Sequence, residues 1–408
     1  MVGGGIIGTA CAHFLAEAGW GVTVVERGKA GEGSSRGNCG FVCPSHVLPL
    51  AEPGAVAGAI KAMLRGNSPF RIKPRLDPAL WSWLLHFARR CNARDMSDAG
   101  RGIQALLVSS MALFREIIER EALDCEWQTR GLLFAYRSKP AMEAYAETDR
   151  LLRESFATPA TRYDGDDVAA LEPALKRGLA GGWYYEEDAH LRPDKLLSSW
   201  RRALEAKGVA FREGCELLGF TPATGRARAI STTGGEVAAD AFVIATGALT
   251  PLLSRHLGSK VPIQPGKGYS LTMPRPAACP VIPLIFPEHR VAVTPFRDGY
   301  RLGSTMEFAG YDATIPRGRL KLLKDGAEPY LREPYADPVV EEWFGWRPMT
   351  YDGLPIIGRG PILENVLLAA GHNMIGLSTA PATGRLVAEL VGGDRPHLDP
   401  APYRVGRF

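Results

Sequence analysis

Cysteine is scarce in this chain: seven occur in 408 residues, and the closest pair, Cys39 and Cys43, does not form a CxxC. A disulfide scaffold is excluded, and without a ligand-spaced Cys/His cluster no metal site is expected, neither zinc nor iron–sulfur. Free thiols fit a reducing compartment. Charge of one sign is lacking as well. The 48 basic and 44 acidic side chains leave +4, with no Lys/Arg block and no basic stripe interleaved with aromatics, so no nucleic-acid partner is expected. No run reaches the roughly 18 apolar residues of a membrane span, and no basic n-region followed by a signal-type core opens the chain. The expected location is the cytoplasm, with peripheral contact at the inner membrane left open. Internal repeats and low-complexity segments are also missing. What remains is an ordinary globular composition, 46% hydrophobic and 23% charged. The length suggests two or three domains at about 150 residues each.

The most specific pattern lies in the first 27 residues. Gly3, Gly5 and Gly8 form a GxGxxG with Ile6 and Ile7 between the last two glycines, and an apolar helical pattern follows through Ala12, Leu15 and Ala16. After a Gly19-Trp20-Gly21 break, Val22–Val25 reads as a strand ending in Glu26, with Arg27 next to it as a further candidate cofactor contact. These are the parts of a βαβ unit in order. The glycines let backbone turn sharply and approach a pyrophosphate resting on the positive end of the helix. Glu26 is placed to accept hydrogen bonds from both ribose hydroxyls, and its charge would repel a 2′-phosphate, which argues against NADP. Only two residues precede Gly3 where a whole strand is expected, so a longer native start or a trimmed chain is the expectation.

Further along, residues 79–92, 101–122, 139–154 and 193–207 read as helices, the last opened by Pro193-Asp194. Strands are expected at 131–136, 182–191, 209–211, 217–220 (starting at Leu217) and 242–245, and the chain alternates in strand fashion from 261 to 310. α/β signals at the start, middle and end are separated by β-rich inserts, which implies two interleaved domains.

Three further segments suit a bound dinucleotide. Ser34, Ser35, Asn38, Cys39 and Gly40 offer hydroxyl and amide groups in a loop fit to wrap a phosphate and ribityl chain; taken alone, the same loop is a plain surface turn. Ala245-Thr246-Gly247 ends an apolar strand with room for backbone to pass close to the ligand. Gly371-His372-Asn373-Met374-Ile375-Gly376 leads into a helix, bringing N–H groups and a positive helix end to whatever binds there.

Taken in order, the Gly3–Gly8 fingerprint, the Ser35/Asn38 loop, Ala245-Thr246-Gly247, Arg347-Pro348…Asp352-Gly353-x-Pro355-x-Ile357-Gly358 and Gly371-His372…Gly376 resemble the FAD-dependent D-amino-acid oxidase superfamily. Within it the chain is most similar to the bacterial D-amino-acid dehydrogenase branch. Cys43–Gly54 and Gly266-Lys267-Gly268-Tyr269-Ser270-Leu271-Thr272 support that branch. The resemblance implies an α/β fold: a Rossmann-like (GR2-type) FAD domain interleaved with an α+β substrate domain built on a mostly antiparallel sheet. Residues 1–50, 190–260 and 345–408 are assigned to the first domain, and 51–189 with 261–344 to the second. It implies oxidative deamination of a D-amino acid by hydride transfer from Cα to flavin N5, with D-proline or hydroxy-D-proline suiting a compact apolar pocket. Electrons would pass to a quinone or another non-oxygen acceptor.

Arg347 matches the arginine that grips the substrate carboxylate, and it also contacts the cofactor. Tyr269 offers a second carboxylate contact or plain core packing, and His46 borders the pocket or caps a loop. No cysteine stands near Pro348 and Met349, where covalent branches attach their flavin, so non-covalent FAD is expected. Other readings share these motifs: an oxygen-using amino-acid, glycine or sarcosine-type oxidase, or the catalytic subunit of a heteromeric dehydrogenase. An NAD-dependent reductase is disfavoured by the single fingerprint.

Overall fold

The computed structural model describes residues 1–64 and 68–408. Its first sheet is centred on a single residue. Val2 bridges Val25 on one side and Ile244 on the other, both in parallel. The Val2 N–H donates to the Val243 carbonyl at 2.8 Å, and the Ala245 N–H donates back to Val2 at 2.8 Å. Strand Thr23–Val25 continues outward to Ala210–Arg212, and strand Phe242–Ile244 to Val366–Ala370, all parallel, with Ile356–Arg359 as an antiparallel edge. Where a whole strand is expected, a bridge of one residue holds the centre.

Helices cover this sheet because small residues let them approach closely. Helix Ile6–Glu17 packs on Gly376–Gly392, and a Cβ on Gly384 would lie 2.5 Å from the Ala10 carbonyl oxygen. The fully buried Ala10, Cys11, Leu196, Trp200 and Leu386 form the core there. Helix Ala93–Arg120 also packs on Gly376–Gly392. It starts eight residues before the apolar periodicity becomes visible at 101. Asn92 caps it, accepting the Asp95 N–H at 3.0 Å, and the first turns bury only Met96 and the small Ala99 and Gly100 among the polar Arg94, Asp95, Ser97 and Asp98, a weak apolar signal.

The second sheet has nine strands. In spatial order they are Glu341–Thr350, Ile263–Met273, Tyr300–Phe308, Val291–Pro295, Leu284–Phe286, Leu132–Tyr136, Gly181–Tyr185 and Thr161–Asp164, with Phe70–Ile72 added to Tyr300–Phe308. Every pairing is antiparallel except Leu284–Phe286 with Leu132–Tyr136 and Tyr300–Phe308 with Phe70–Ile72. All eleven residues of Ile263–Met273 are buried, so this strand is the spine of the sheet. The mixed α/β architecture with a largely antiparallel second sheet is the one expected. Strand Glu341–Thr350 runs unbroken through position 345, where the sequence reading divides the chain. Among the described residues no helix is long and apolar enough to cross a membrane.

Candidate active site

Gly3 and Gly8 shape the turn at the centre of the first sheet. Gly3 has φ +103°, and a Cβ there would lie 2.5 Å from the Ala245 oxygen; a Cβ on Gly8 would lie 1.9 Å from the Gly3 oxygen. Side chains are excluded at both, so backbone alone forms the bend. Helix Ile6–Glu17 gets no cap from its own N-cap residue, Gly5; instead Ser35 Oγ accepts the Ile6 N–H at 3.0 Å. The Glu26 carboxylate accepts the Gly4 N–H at 2.8 Å and the Gly28 N–H at 2.9 Å. From this end a cavity of about 920 Å³ runs past Leu217 and Ala245-Thr246-Gly247 to Arg347 and the His372–Gly376 loop. Gly3, Gly5, Ile6, Ile7, Glu26 and Arg27 line its mouth.

The loop of residues 33–40 is clamped from the nine-stranded sheet. Ser270 Oγ donates to the Gly37 carbonyl at 2.7 Å, Thr294 Oγ1 to Cys39 at 2.6 Å, and Arg301 Nη1 to Asn38 at 2.8 Å. Arg301 is 1% exposed, and Glu341 accepts from its Nη2 at 3.3 Å. The Asn38 side chain closes the loop on itself, donating to Ser35 O and accepting the Gly40 N–H. Ser34 Oγ donates to Trp346 O. With its carbonyls held outward by these donors, the loop presents Ser34, Ser35, Asn38, Cys39 and Gly40 to the cavity. No motif in the sequence assigns Arg301, Ser270 or Thr294 to this clamp. Their signal was faint: polar residues inside otherwise apolar strands.

At the far end, Arg347 lines the cavity and makes one hydrogen bond, from Nη1 to the Thr305 carbonyl at 2.8 Å. Among the described residues no carboxylate pairs with it, and burial pulls its pKa below the ordinary guanidinium value. The backbone that receives it is unusual: Ser304 and Thr305 have φ +106° and +51°, left-handed conformations inside a strand. Tyr269 also lines the cavity, but its hydroxyl donates its single proton to Glu307 at 2.7 Å. As the side chains stand, that proton is committed to Glu307 and not offered to a ligand. Burial, with Glu307 beside it, raises the phenol pKa well above its usual range. His46 faces the cavity, and its Nδ1 lies 3.3 Å from Ser45 Oγ.

The 371–376 loop holds its shape through its own side chains. Asn373 Nδ2 donates to the Gly353 and Gly371 carbonyls at 2.8 and 3.0 Å, and its Oδ1 accepts the Thr350 N–H at 2.9 Å. His372 Nε2 lies 3.1 Å from Thr383 Oγ1, and burial drops its pKa to about 3. Both side chains are thus occupied internally, though the residues line the cavity with Met374, Ile375 and Gly376. Gly8 and Gly371 do not line it at all. Both serve as spacers, since a Cβ on Gly371 would sit 2.7 Å from Thr350 Cγ2.

The family described as FAD dependent oxidoreductase matches residues 1–390 of the chain. A D-amino acid dehydrogenase of Paramagnetospirillum magneticum is 33% identical over 421 aligned positions, covering 100% of this chain and 98% of that protein. One of Methylobacterium nodulans is 33% identical, covering 98% and 96%. Among solved structures, glycine oxidase from Geobacillus kaustophilus superimposes with a TM-score of 0.81 at 23% identity, over 100% of this chain and 97% of that one. L-proline dehydrogenase from P. horikoshii gives 0.75 at 20%, over 100% and 96%. These structural likenesses speak for the fold.

Proposed function

The chain belongs to the FAD-dependent oxidoreductase family, and from that membership we propose that it is a D-amino-acid dehydrogenase acting on a small substrate of the D-proline or hydroxy-D-proline type. The residues present fit FAD. Two glycines whose side chains would collide with backbone shape the turn, a helix N-terminus adjoins it, Glu26 stands where a ribose would be read, and the cavity continues from there toward Arg347. When bound, FAD supplies the acceptor for the hydride leaving the substrate Cα, after which water converts the imino acid to a 2-oxo acid and ammonia, or a cyclic imine is released.

The protein's own contribution begins with Arg347, and this residue is the observation on which the reading rests. A half-buried guanidinium with no acidic partner, facing a cavity, is a charge awaiting a counter-ion. Its Nη1 is engaged by Thr305, while Nε and Nη2 hydrogen-bond no described residue. A planar fork of donors matches a carboxylate in geometry and charge. Gripping one end of an amino acid fixes the Cα–H, which is the orientation effect that makes a reaction effectively unimolecular.

For the acceptor we favour a quinone over oxygen. The similar curated proteins carry the name dehydrogenase. The described residues between 55 and 90 also expose Ile60, Leu76, Trp81 and Leu85, and in the same stretch Lys61, Arg71, Lys73 and Arg89 are exposed. Exposed apolar side chains sharing one stretch with exposed cations suit an anionic bilayer surface, although Arg71 and Lys73 also lie 3.8 and 3.5 Å from Glu307 and Asp312. The test is anaerobic bleaching of the bound flavin with a panel of D- and L-amino acids, followed by reoxidation with air or a quinone analogue. Bleaching by D-isomers and fast reoxidation by quinone are expected. Bleaching by L-isomers alone, or by none, overturns the reading, and fast reoxidation by air overturns the acceptor.

A further inference from the structure

Strand Phe41–Val42 pairs antiparallel with Ala189–His190, and this short pairing brings two distant segments, Cys43–His46 and Asp188, together. Asp188 is 1% exposed. Its carboxylate accepts the Ser45 O–H at 2.5 Å and the Ser45 N–H at 3.1 Å, with the Cys43 thiol as a further donor. No lysine or arginine among the described residues pairs with it. A buried carboxylate held only by neutral donors is costly to ionise, and such groups concentrate at functional sites. Because Ser45 gives its hydroxyl proton to Asp188, the 3.3 Å contact between Ser45 Oγ and His46 Nδ1 is made with the proton on the ring nitrogen. That leaves the His46 Nε2 lone pair without a described partner, on a ring that lines the cavity.

We propose that His46, Ser45 and Asp188 form a relay that takes the ammonium proton from the bound amino acid and stores it on the Asp188 carboxylate. The substrate N–H bond breaks as His46 Nε2 gains a proton; His46 Nδ1 passes its proton to Ser45 Oγ, and Ser45 passes its own to Asp188 Oδ2. Three bonds to hydrogen break and three form. The substrate is left as a neutral amine, able to release hydride from Cα, and Asp188 as a neutral acid. Ser45 and Asp188 act through His46 and touch no substrate themselves. The proposal rests on the amine-oxidation reading above.

The titration of the two ends agrees with this direction. Burial lifts the Asp188 pKa to about 7 and drops that of His46 to about 4, so the histidine conducts a proton that the carboxylate keeps. The titratable groups near Asp188 are Cys43, Glu187, Tyr184 and Tyr185. Burial pushes the Cys43 thiol up and the two phenols up as well, leaving these three neutral around neutrality, and Glu187 favours the protonated acid. The His46 ring faces the apolar Phe134 at 6.0 Å.

Asp188→Asn removes the store, Ser45→Ala cuts the middle while keeping both ends, and Ser45→Thr restores the hydroxyl. The rate of anaerobic flavin bleaching is followed against pH in the FAD-loaded enzymes. Wild type is expected to gain rate through a limb near pH 7. In D188N and S45A that limb gives way to the titration of the free amino acid, with a loss of about 10–100-fold at pH 7 that disappears at high pH; S45T behaves as wild type. Independently of turnover, infrared difference spectra should show a protonated carboxylic acid below pH 7 that is absent in D188N. Superimposable pH–rate profiles in folded, yellow variants, or no such infrared band, overturn the relay alone. No bleaching of wild type by any amino acid overturns the parent reading and the relay with it.

Discussion

Gly268 lies against the Arg347 guanidinium: a Cβ built on it would sit 2.2 Å from Nη1. The glycine is what allows the fork to rest on the neighbouring strand and face the cavity. Arg347→Ala is expected to lower kcat/KM by the equivalent of 3–5 kcal/mol, the usual consequence of leaving a buried charge without its partner. Arg347→Lys keeps the charge but not the fork and should fall between. Gly268→Ala should mimic part of the loss, because the guanidinium must move while remaining intact. Steady-state kinetics with an artificial acceptor decide this; a loss under tenfold in R347A contradicts the role.

Ser35→Ala removes the acceptor that caps Ile6. Loss of such a cap costs about 1 kcal/mol, and part of it should appear as weaker FAD binding as well as a lower Tm. Gly8→Ala has no such modest outcome, since its Cβ would sit 1.9 Å from a carbonyl oxygen. That variant should purify colourless or not fold. Titration of apoprotein with FAD, read by flavin fluorescence, measures both, and a yellow G8A with wild-type affinity contradicts the glycine argument.

Cys39 and Cys43 both line the cavity, yet burial raises the pKa of each thiol, leaving little thiolate to attack a ring. Acid precipitation should therefore release all the flavin into the supernatant. Colour remaining in the pellet contradicts dissociable FAD.

Stability should depend steeply on pH on the acid side. Burial holds His13, His46 and His190 at pKa about 4 and His372 at about 3, below the 6.5 of a free histidine. A depressed histidine contributes fully above pH 6.5 and loses that contribution as pH falls toward its native value. Asp188 runs the other way: raised to about 7, its contribution fades as pH rises from about 4 to 7. Four groups against one leave the unfolded chain binding about three more protons near pH 5. The Tm, measured at a fixed excess of FAD, should climb from pH 5 to 6.5 and then level. A flat profile contradicts this.

Much of the nucleotide end was legible because glycine geometry is written locally: Gly3, Gly5 and Gly8 need only the next few residues to explain them. Glu26 was readable for the same reason, standing at a strand end a fixed distance on. The other end was harder. Tyr269 was visible as a strand residue in a recognisable motif, but its partner Glu307 is 38 residues away and on another strand, so the fate of its hydroxyl was not. Asp188 meets Ser45 across 143 residues, through a pairing only two residues long on each side, which leaves almost no periodic trace. Asn373 and His372 fell within a true motif, yet they hold the loop's own backbone in place; adjacency in sequence does not say which way a side chain turns.

Ser270, Thr294 and Arg301 reach from the large sheet to the carbonyls of residues 37–39, and this stitching ties the loop beside the dinucleotide turn to the large sheet. Excised alone, the dinucleotide half would keep a loop stripped of its proton donors. The excised sheet would keep Arg301 on Thr272 and Glu341 but lose the Asn38 carbonyl, and the Ser270 and Thr294 hydroxyls would exchange their protein acceptors for water. Swapping either half between relatives therefore succeeds only when the three donors and the loop travel together.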